Sequence, residues 1–160
     1  MPSTTSSRRP FRVGRSKTGF GLFATRTIKR GTFLAYYRGR KLRSHEADEI
    51  ANKYLFEINS RWTIDGSNRR NVARYINHSC RPNAEVEIKG HEIVISARKT
   101  IQEGDEITYN YGRNYFNAYI KDKGCLCTHC HEKRRAARAE RRVGRPKARP
   151  GRKQPRKRQS

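Results

Sequence analysis

The apolar positions of this chain fall in short alternating runs, broken every few residues by Gly, Asn, Asp or Ser. That is the pattern of many short strands. Phe11 to Val13 and Gly21 to Thr25 read as strands on either side of the turn Ser16-Lys17-Thr18-Gly19. Thr32 to Tyr37 is the next strand, ended by Arg38-Gly39. Tyr54 to Ile58 and Trp62 to Ile64 alternate, with Asp65-Gly66 as the turn. Glu85 to Ile88 and Ile93 to Ala97 flank Lys89-Gly90, a hairpin signal. Gly104-Asp105-Glu106 turns the chain into a strand from Ile107 to Tyr111. One segment reads as a clear helix, Ser44 to Lys53. Ser44 is a suitable N-cap, acids crowd the first turn, and Ala47, Ile50 and Ala51 share a face. Val72 to Ile76 reads as a helical turn. The sum is a mainly β domain with one or two helices, without the strand–helix–strand alternation of a nucleotide-binding doubly wound sheet.

Composition divides the chain unevenly. From Glu132 to the end there are 14 Lys/Arg against 2 Asp/Glu, a balance of +12 and half of the whole chain's +24. This stretch has no Ile, Leu, Phe, Tyr or Trp, so it cannot bury enough apolar surface to offset its ordering entropy. Disorder is the expectation for residues 132–160, and a flexible basic leader for 1–8. The remaining charge makes polyanions or acidic proteins plausible partners even without the tail. No apolar run is long enough to span a membrane, and the N-terminus lacks the apolar segment of a secretory signal. A cytoplasmic or nucleoid-associated address follows, or nuclear and chromatin-bound in a eukaryote; secretion does not.

Without a secretion signal, the cysteines point to a metal site before a disulfide. Cys125, Cys127 and Cys130 lie within six residues, and Cys80 is the only other. Zn²⁺ takes four ligands in a tetrahedron, and Cys80 would complete the set if it comes near. His129 and His131 flank Cys130 as competing ligands. Four protein ligands leave no position for water, so such a zinc would be structural. Gly19-Phe20-Gly21 permits close approach of backbone to a ligand, or is a plain turn. Asn77-His78 could be a hydrogen-bonding corner or a catalytic pair. Tyr109 and Tyr111 share a strand face. No Ser-His-Asp pattern, phosphate loop or paired-carboxylate arrangement stands out.

Read together, these pieces resemble the SET-domain protein lysine N-methyltransferases in compact form, with a post-SET zinc loop. The resemblance is carried by Lys17-Thr-Gly-Phe-Gly-Leu-Phe-Ala24, Tyr37-Arg-Gly39, Ile64-Asp-Gly66 and Ala73-Arg-Tyr-Ile-Asn-His-Ser-Cys-Arg-Pro-Asn83. It continues through Gly104-Asp-Glu-Ile-Thr-Tyr-Asn-Tyr-Gly112 and Cys125-x-Cys-x-x-Cys130. The resemblance covers about residues 9–131 and implies a SET domain at 9–112 with a post-SET zinc loop at 113–131. The fold implied is the β-clip: small curled sheets, few short helices, and a pseudoknot in which the Asn-His-Ser-Cys segment and the last strand's segment cross.

The resemblance also implies roles. S-adenosyl-L-methionine would be held by Lys17, Gly19, Phe20, Gly21, Arg74, Tyr75, Asn77, His78, Tyr111 and Leu126. Tyr111 matches the tyrosine at the methyl-transfer centre, and Tyr37 and Tyr109 match aromatic positions of the lysine channel. Cys80, Cys125, Cys127 and Cys130 match the zinc ligands, although the loop spacing is shorter than the commoner form. The implied reaction is methyl transfer to a lysine amine of a histone, a DNA-packing or a ribosome-associated protein. Tyr109 carries a hydroxyl where some relatives have Phe, which implies mono- or dimethylation. A rival reading is a catalytically silent module that binds nucleic acid or protein. The Pro/Gly-interrupted basic tracts at 142–147 and 150–158 loosely resemble minor-groove arms, so nucleic acid is a candidate partner of 132–160.

Overall fold

The computed structural model describes residues 9–143. The leader 1–8 and residues 144–160, for which flexibility is the expectation, lie outside the described residues. Strands β1 (Phe11–Ser16) and β2 (Gly19–Ala24) form an antiparallel hairpin, with Phe11 opposite Ala24 and Ser16 opposite Gly19. Gly19 closes the turn at φ 115°, a backbone region that side chains rarely enter. Strands β3 (Phe33–Tyr37) and β4 (Arg40–Arg43) follow, then helix α1 (Ser44–Asp48), then β5 (Leu55–Asn59) and β6 (Trp62–Asp65). A single 3₁₀ turn, Val72–Tyr75, leads into the two-residue strand β7 (Asn77–His78). The hairpin β8 (Ala84–Lys89) and β9 (Glu92–Ala97) precedes β10 (Glu106–Tyr109). Helix α2 (Arg113–Tyr115) runs on as a π-helical turn, Phe116–Ile120, and α3 (Thr128–Val143) ends the described chain.

The strands make three small sheets, ordered β1-β2-β10-β7, β3-β9-β8 and β4-β6-β5. Their inner faces meet on Leu22, Ile76, Ile93, Ile95, Ile101 and Ile107, each no more than 1% exposed. Burying an Ile or Leu is worth roughly 1.5–3 kcal/mol, so these six side chains anchor the body of the fold. An isolated bridge between Ile28 and Ile101 ties the connecting segments together.

The Asn-His-Ser-Cys segment and the last strand are neighbours. β7 pairs in parallel with β10, Asn77 opposite Thr108 and His78 opposite Tyr109. Two residues of strand are too few to hold by backbone alone. Asn83 reinforces them: its Nδ2 donates to the Glu106 carbonyl and its Oδ1 accepts from the Thr108 N–H, at 2.8 Å each. An asparagine side chain thus takes the place of a neighbouring strand.

Three expectations need correction. The helix from Ser44 ends at Asp48, not Lys53. Asn52 competes for the backbone, accepting from the Tyr54 N–H at 2.9 Å while its Nδ2 donates to Asp65 Oδ1 at 2.7 Å. The cap is Arg43, whose N–H donates to Glu46 Oε2 at 3.1 Å; Ser44 Oγ is turned instead toward Asn59 O and Thr63 Oγ1. Finally, disorder does not begin at Glu132, because α3 is helical through Val143. Its segment is rich in Ala, Arg, Lys and Glu, which favour a helix without burying anything. β4 was not foreseen because Leu42 is its only apolar residue.

Candidate active site

The start of β2 at Gly19–Phe20, the 3₁₀ turn with β7, the end of β10 and the loop at Leu126 are distant in sequence. They line one cleft of about 1120 Å³, together with Tyr37, Tyr54, Phe56, Tyr115 and Tyr119. A second cleft of about 670 Å³ lies across Asn77 and His78, which line both. Lys17 faces this second cleft. Gly21 lines neither. A Cβ there would strike the Glu106 carboxylate, so glycine admits that carboxylate beside β2. Asn77 Nδ2 donates to Glu106 Oε1 at 2.7 Å and to the Phe20 carbonyl at 2.9 Å. The Asn77 amide, itself in β7, therefore ties the start of β2 to β10.

The tyrosines line the same cleft. Tyr111 N–H donates to His78 Nδ1 at 3.2 Å, and its hydroxyl donates to the Ile76 carbonyl at 2.7 Å. Both ends of Tyr111 are thus held by the Ile76–His78 segment. Since His78 Nδ1 accepts, its Nε2 carries the proton and faces Cys80 Sγ at 3.4 Å. Burial keeps His78 below its usual pKa, in line with a neutral ring. The Tyr37 hydroxyl donates to the Tyr54 carbonyl at 2.8 Å. Tyr109 is 6% exposed, and its hydroxyl makes no hydrogen bond among the described residues. Burial, with the neighbouring phenols second, raises Tyr109 and Tyr111 above the ordinary tyrosine pKa; burial does the same for Tyr37.

Aromatic rings continue from this point to the surface. Tyr109–Tyr111, Tyr111–Tyr115 and Tyr115–Tyr119 have centroids 4.9, 4.8 and 4.7 Å apart, and Tyr119 is 48% exposed. Sequence reasoning missed Tyr115 and Tyr119, although a tyrosine at every fourth position after Tyr111 was a signal for them. It also missed Phe56, which stands between Tyr37 and Tyr109. Asn83 and Glu106 belong to the family-like strings, but their bracing of β10 and Asn77 depends on contacts across the fold.

Two features suggest what the cleft receives. The Arg74 guanidinium stacks 4.0 Å from the Tyr54 ring and donates to the Ser67 carbonyl. Its buried Nε has no partner among the described residues, and the cation itself borders the cleft, where it favours an anionic ligand. Phe20 and Leu126 stand at the cleft 50% and 49% exposed, apolar faces of the kind a ligand covers.

The four thiols come together as anticipated. Their sulfurs lie within 4.8 Å of one another, Cys80 being 3.8 Å from Cys125 and 3.5 Å from Cys130. Four sulfurs at 2.3 Å around one ion would be spaced by about 3.8 Å, so the donor set fits a tetrahedral metal. Neither His129 nor His131 belongs to the cluster. Burial raises the Cys80 and Cys125 pKa. At Cys127 burial also pulls upward, but hydrogen bonds from the Cys80 and Cys130 backbone and neighbouring thiols outweigh it and lower the pKa to about 7.

The SET domain family matches residues 19–112. This chain belongs to the SET-domain family. Among curated relatives, the variant-silencing SET domain-containing protein of Plasmodium falciparum is 33% identical over 138 residues, 73% of this chain and 5% of its own length. Histone-lysine N-methyltransferase set-2 of Caenorhabditis elegans is 40% identical over 106 residues, 58% of this chain and 7% of the relative. The H3 lysine-4 specific histone-lysine N-methyltransferase of Aspergillus oryzae is 35% identical over 118 residues, 65% of this chain and 10% of the relative. The chain thus spans a tenth or less of these relatives. The crystal structure of KRYPTONITE in complex with mCHG DNA and SAH aligns with a TM-score of 0.57 and 33% identity, over 64% of this chain and 23% of that one. The match agrees with the small-sheet, mainly β SET fold. No helix among the described residues is long and apolar enough to cross a membrane.

Proposed function

We propose that this SET domain is a protein-lysine N-methyltransferase that uses S-adenosyl-L-methionine. The observation that carries the reading is the convergence of Gly19, Phe20, Arg74, Tyr75, Asn77, His78, Tyr109, Tyr111 and Leu126 on one cleft. Relatives named as histone-lysine N-methyltransferases, and a structural neighbour holding SAH, support it.

When bound, the cofactor would supply a methyl group on a positively charged sulfur, for transfer to a neutral lysine amine with the sulfur leaving as a neutral thioether. The chain's residues bind and orient. The Arg74 cation suits the cofactor's carboxylate, and Phe20, Tyr75 and Leu126 offer faces to its adenine. Lys17, across the Asn77–His78 wall, and Gly21, behind Asn77, support this end; the Asn77 side chain and His78 backbone border it. In the same cleft, the tyrosine ladder attracts the incoming ammonium and strips its water, which lowers the amine's pKa and eases loss of its proton to solvent. Tyr111 is fixed at both ends, so its hydroxyl oxygen sits preorganised for the reacting amine. Its raised pKa keeps it neutral, an orienting group and not the base. The untethered Tyr109 hydroxyl can hold a water against the amine, leaving room for one or two methyl groups.

Zn²⁺ is the ion that suits four thiols in a closed set, and its part is structural. A protein lysine is the substrate, on a histone, a DNA-packing or a ribosome-associated protein. The site of work is then chromatin or a nucleoid, and residues 132–160 are the segment for nucleic acid.

Labelled methyl transfer from S-adenosyl-L-methionine to histones and to lysate proteins tests the reading, with wild type beside Tyr111→Phe. The expected result is lysine-linked label that falls at least a hundredfold in the variant. No label from a folded, metal-loaded wild type would leave the silent binding module as the function.

A further inference from the structure

The methyltransfer reading makes no use of α3. Its sixteen residues extend about 24 Å at the usual helical rise. It starts at the thiol cluster, with Cys130 in its first turn and the His131 N–H donating to the Cys127 carbonyl at 3.0 Å. From His131 to Arg141 every residue is exposed. The helix therefore stands out from the body, and whatever holds the cysteines fixes its direction.

Four of its arginines share a face. At about 100° per residue, Arg134, Arg135, Arg138 and Arg141 fall within an arc of about 120°, with His131 inside it. Glu132, Ala136, Ala139 and Glu140 fall on the opposite side, within about 100°, with Lys133 beside Glu140. A helix that merely keeps a chain soluble mixes its signs, and pairs acid with base at three- or four-residue spacing. Here no side-chain hydrogen bond or ion pair ties any of the four guanidiniums to another described residue; the one ion pair among the described residues is Lys89 with Glu87. The stripe is a row of unpaired guanidiniums presented in one direction.

We propose that the arginine face of α3 docks duplex DNA, lying at the mouth of the major groove. Charge complementarity and shape both select this occupant. Both walls of that groove carry phosphates, and its width of about 12 Å accepts a helix of 10–12 Å diameter. Arginines pointing inward reach the walls, while Glu132 and Glu140 face outward, away from phosphate. Duplex RNA has a deep, narrow major groove that a helix does not enter. The contacts are to phosphate, so they position the protein without reading base sequence. There is a consequence if the methyltransfer reading holds. An enzyme of net charge +24 repels a lysine-rich substrate; DNA lying between them would remove that repulsion and bring both together.

The experiment measures binding of the whole metal-loaded chain to a labelled 20-base-pair DNA duplex by fluorescence anisotropy, from 50 to 200 mM salt. It compares wild type with two variants of equal net charge. One is R134Q/R135Q/R138Q/R141Q. The other is R152Q/K153Q/R156Q/K157Q, in the remaining basic stretch. The expected result is that the α3 variant weakens binding at least tenfold at 50 mM salt. It also flattens the log–log salt slope by about 3 to 4, as four lost phosphate contacts require. The second variant loses clearly less. Circular dichroism confirms that α3 remains helical, as Arg-to-Gln changes allow. Equal losses in both variants would overturn the proposal, since net charge alone would then explain binding. Equal affinity for an RNA duplex, or tighter binding to poly-glutamate, would overturn it too. None of these outcomes depends on methyl transfer.

Discussion

The β body and the C-terminal module hold together by different physics. Between Phe11 and Tyr109 three sheets close on a shared apolar core, with Leu22, Ile95, Ile101 and Ile107 fully buried. Between Arg113 and Val143 only Cys125 is buried among the described residues. What holds the second region is a ladder of tyrosine rings, the Phe116–His78 contact at 5.5 Å, and four thiols of which one, Cys80, belongs to the body. A body built on burial is self-sufficient. A module built on ligation folds when its ion is present. The candidate site lies across the seam: His78 accepts from the Tyr111 N–H on one ring nitrogen and faces Cys80 Sγ with the other.

The contrast breaks most sharply on metal removal. Structural zinc contributes about 10–16 kcal/mol in small thiolate domains. Chelation, or Cys80→Ser, is expected to release residues 113–143 while the sheets persist. Hydrogen exchange would show protection lost in the module and kept in β2, β9 and β10. Uniform loss through both regions would mean that the body also depends on the ion.

The converse test empties the core. Ile107→Ala leaves a cavity beneath β10 and should cost about 2–5 kcal/mol. The whole β body should then melt earlier in a calorimetric scan, with the thiol cluster's metal stoichiometry unchanged.

Alkaline titration gives a smaller effect confined to the seam. The pKa values of Tyr37, Tyr109 and Tyr111 are raised on folding, so their contribution to stability is complete below about pH 10 and is lost as pH rises beyond it. Tm should hold to about pH 10 and then fall, with tyrosinate absorbance appearing together with unfolding. Absorbance from these phenols in the intact fold near pH 10 would contradict the burial assigned to them. The smallest change is Tyr109→Phe. It should leave stability almost unchanged and move the product distribution from mono- and dimethyl-lysine toward trimethyl-lysine in mass spectra. An unchanged distribution would remove Tyr109 from product control.

The same division explains what could be read from residues alone. Strands such as Ile93–Ala97 and turns such as Lys89-Gly90 announce themselves, because alternation and glycine are local signals. The thiol cluster was legible too, since three cysteines within six residues are rare in a chain with only four. β4 and β7 were not: a strand with one apolar residue, and a strand of two residues, exist only through their neighbours. α3 was misjudged for the opposite reason. Its order comes from helix propensity and from the thiol cluster that anchors its first turn, not from burial, so a lack of apolar residues does not count against it. Glu106 shows the limit for the site, because its carboxylate matters only where Gly21 leaves space and Asn77 arrives from another strand.

The central claim is that cofactor binding needs both regions. Calorimetric titration of S-adenosyl-L-methionine into the chain, metal-loaded and then metal-stripped, tests it most directly. The account predicts one molecule bound per loaded chain, and loss of that binding on stripping while the β-sheet dichroism is retained. Equal binding in both states, or none in the loaded state, would contradict it.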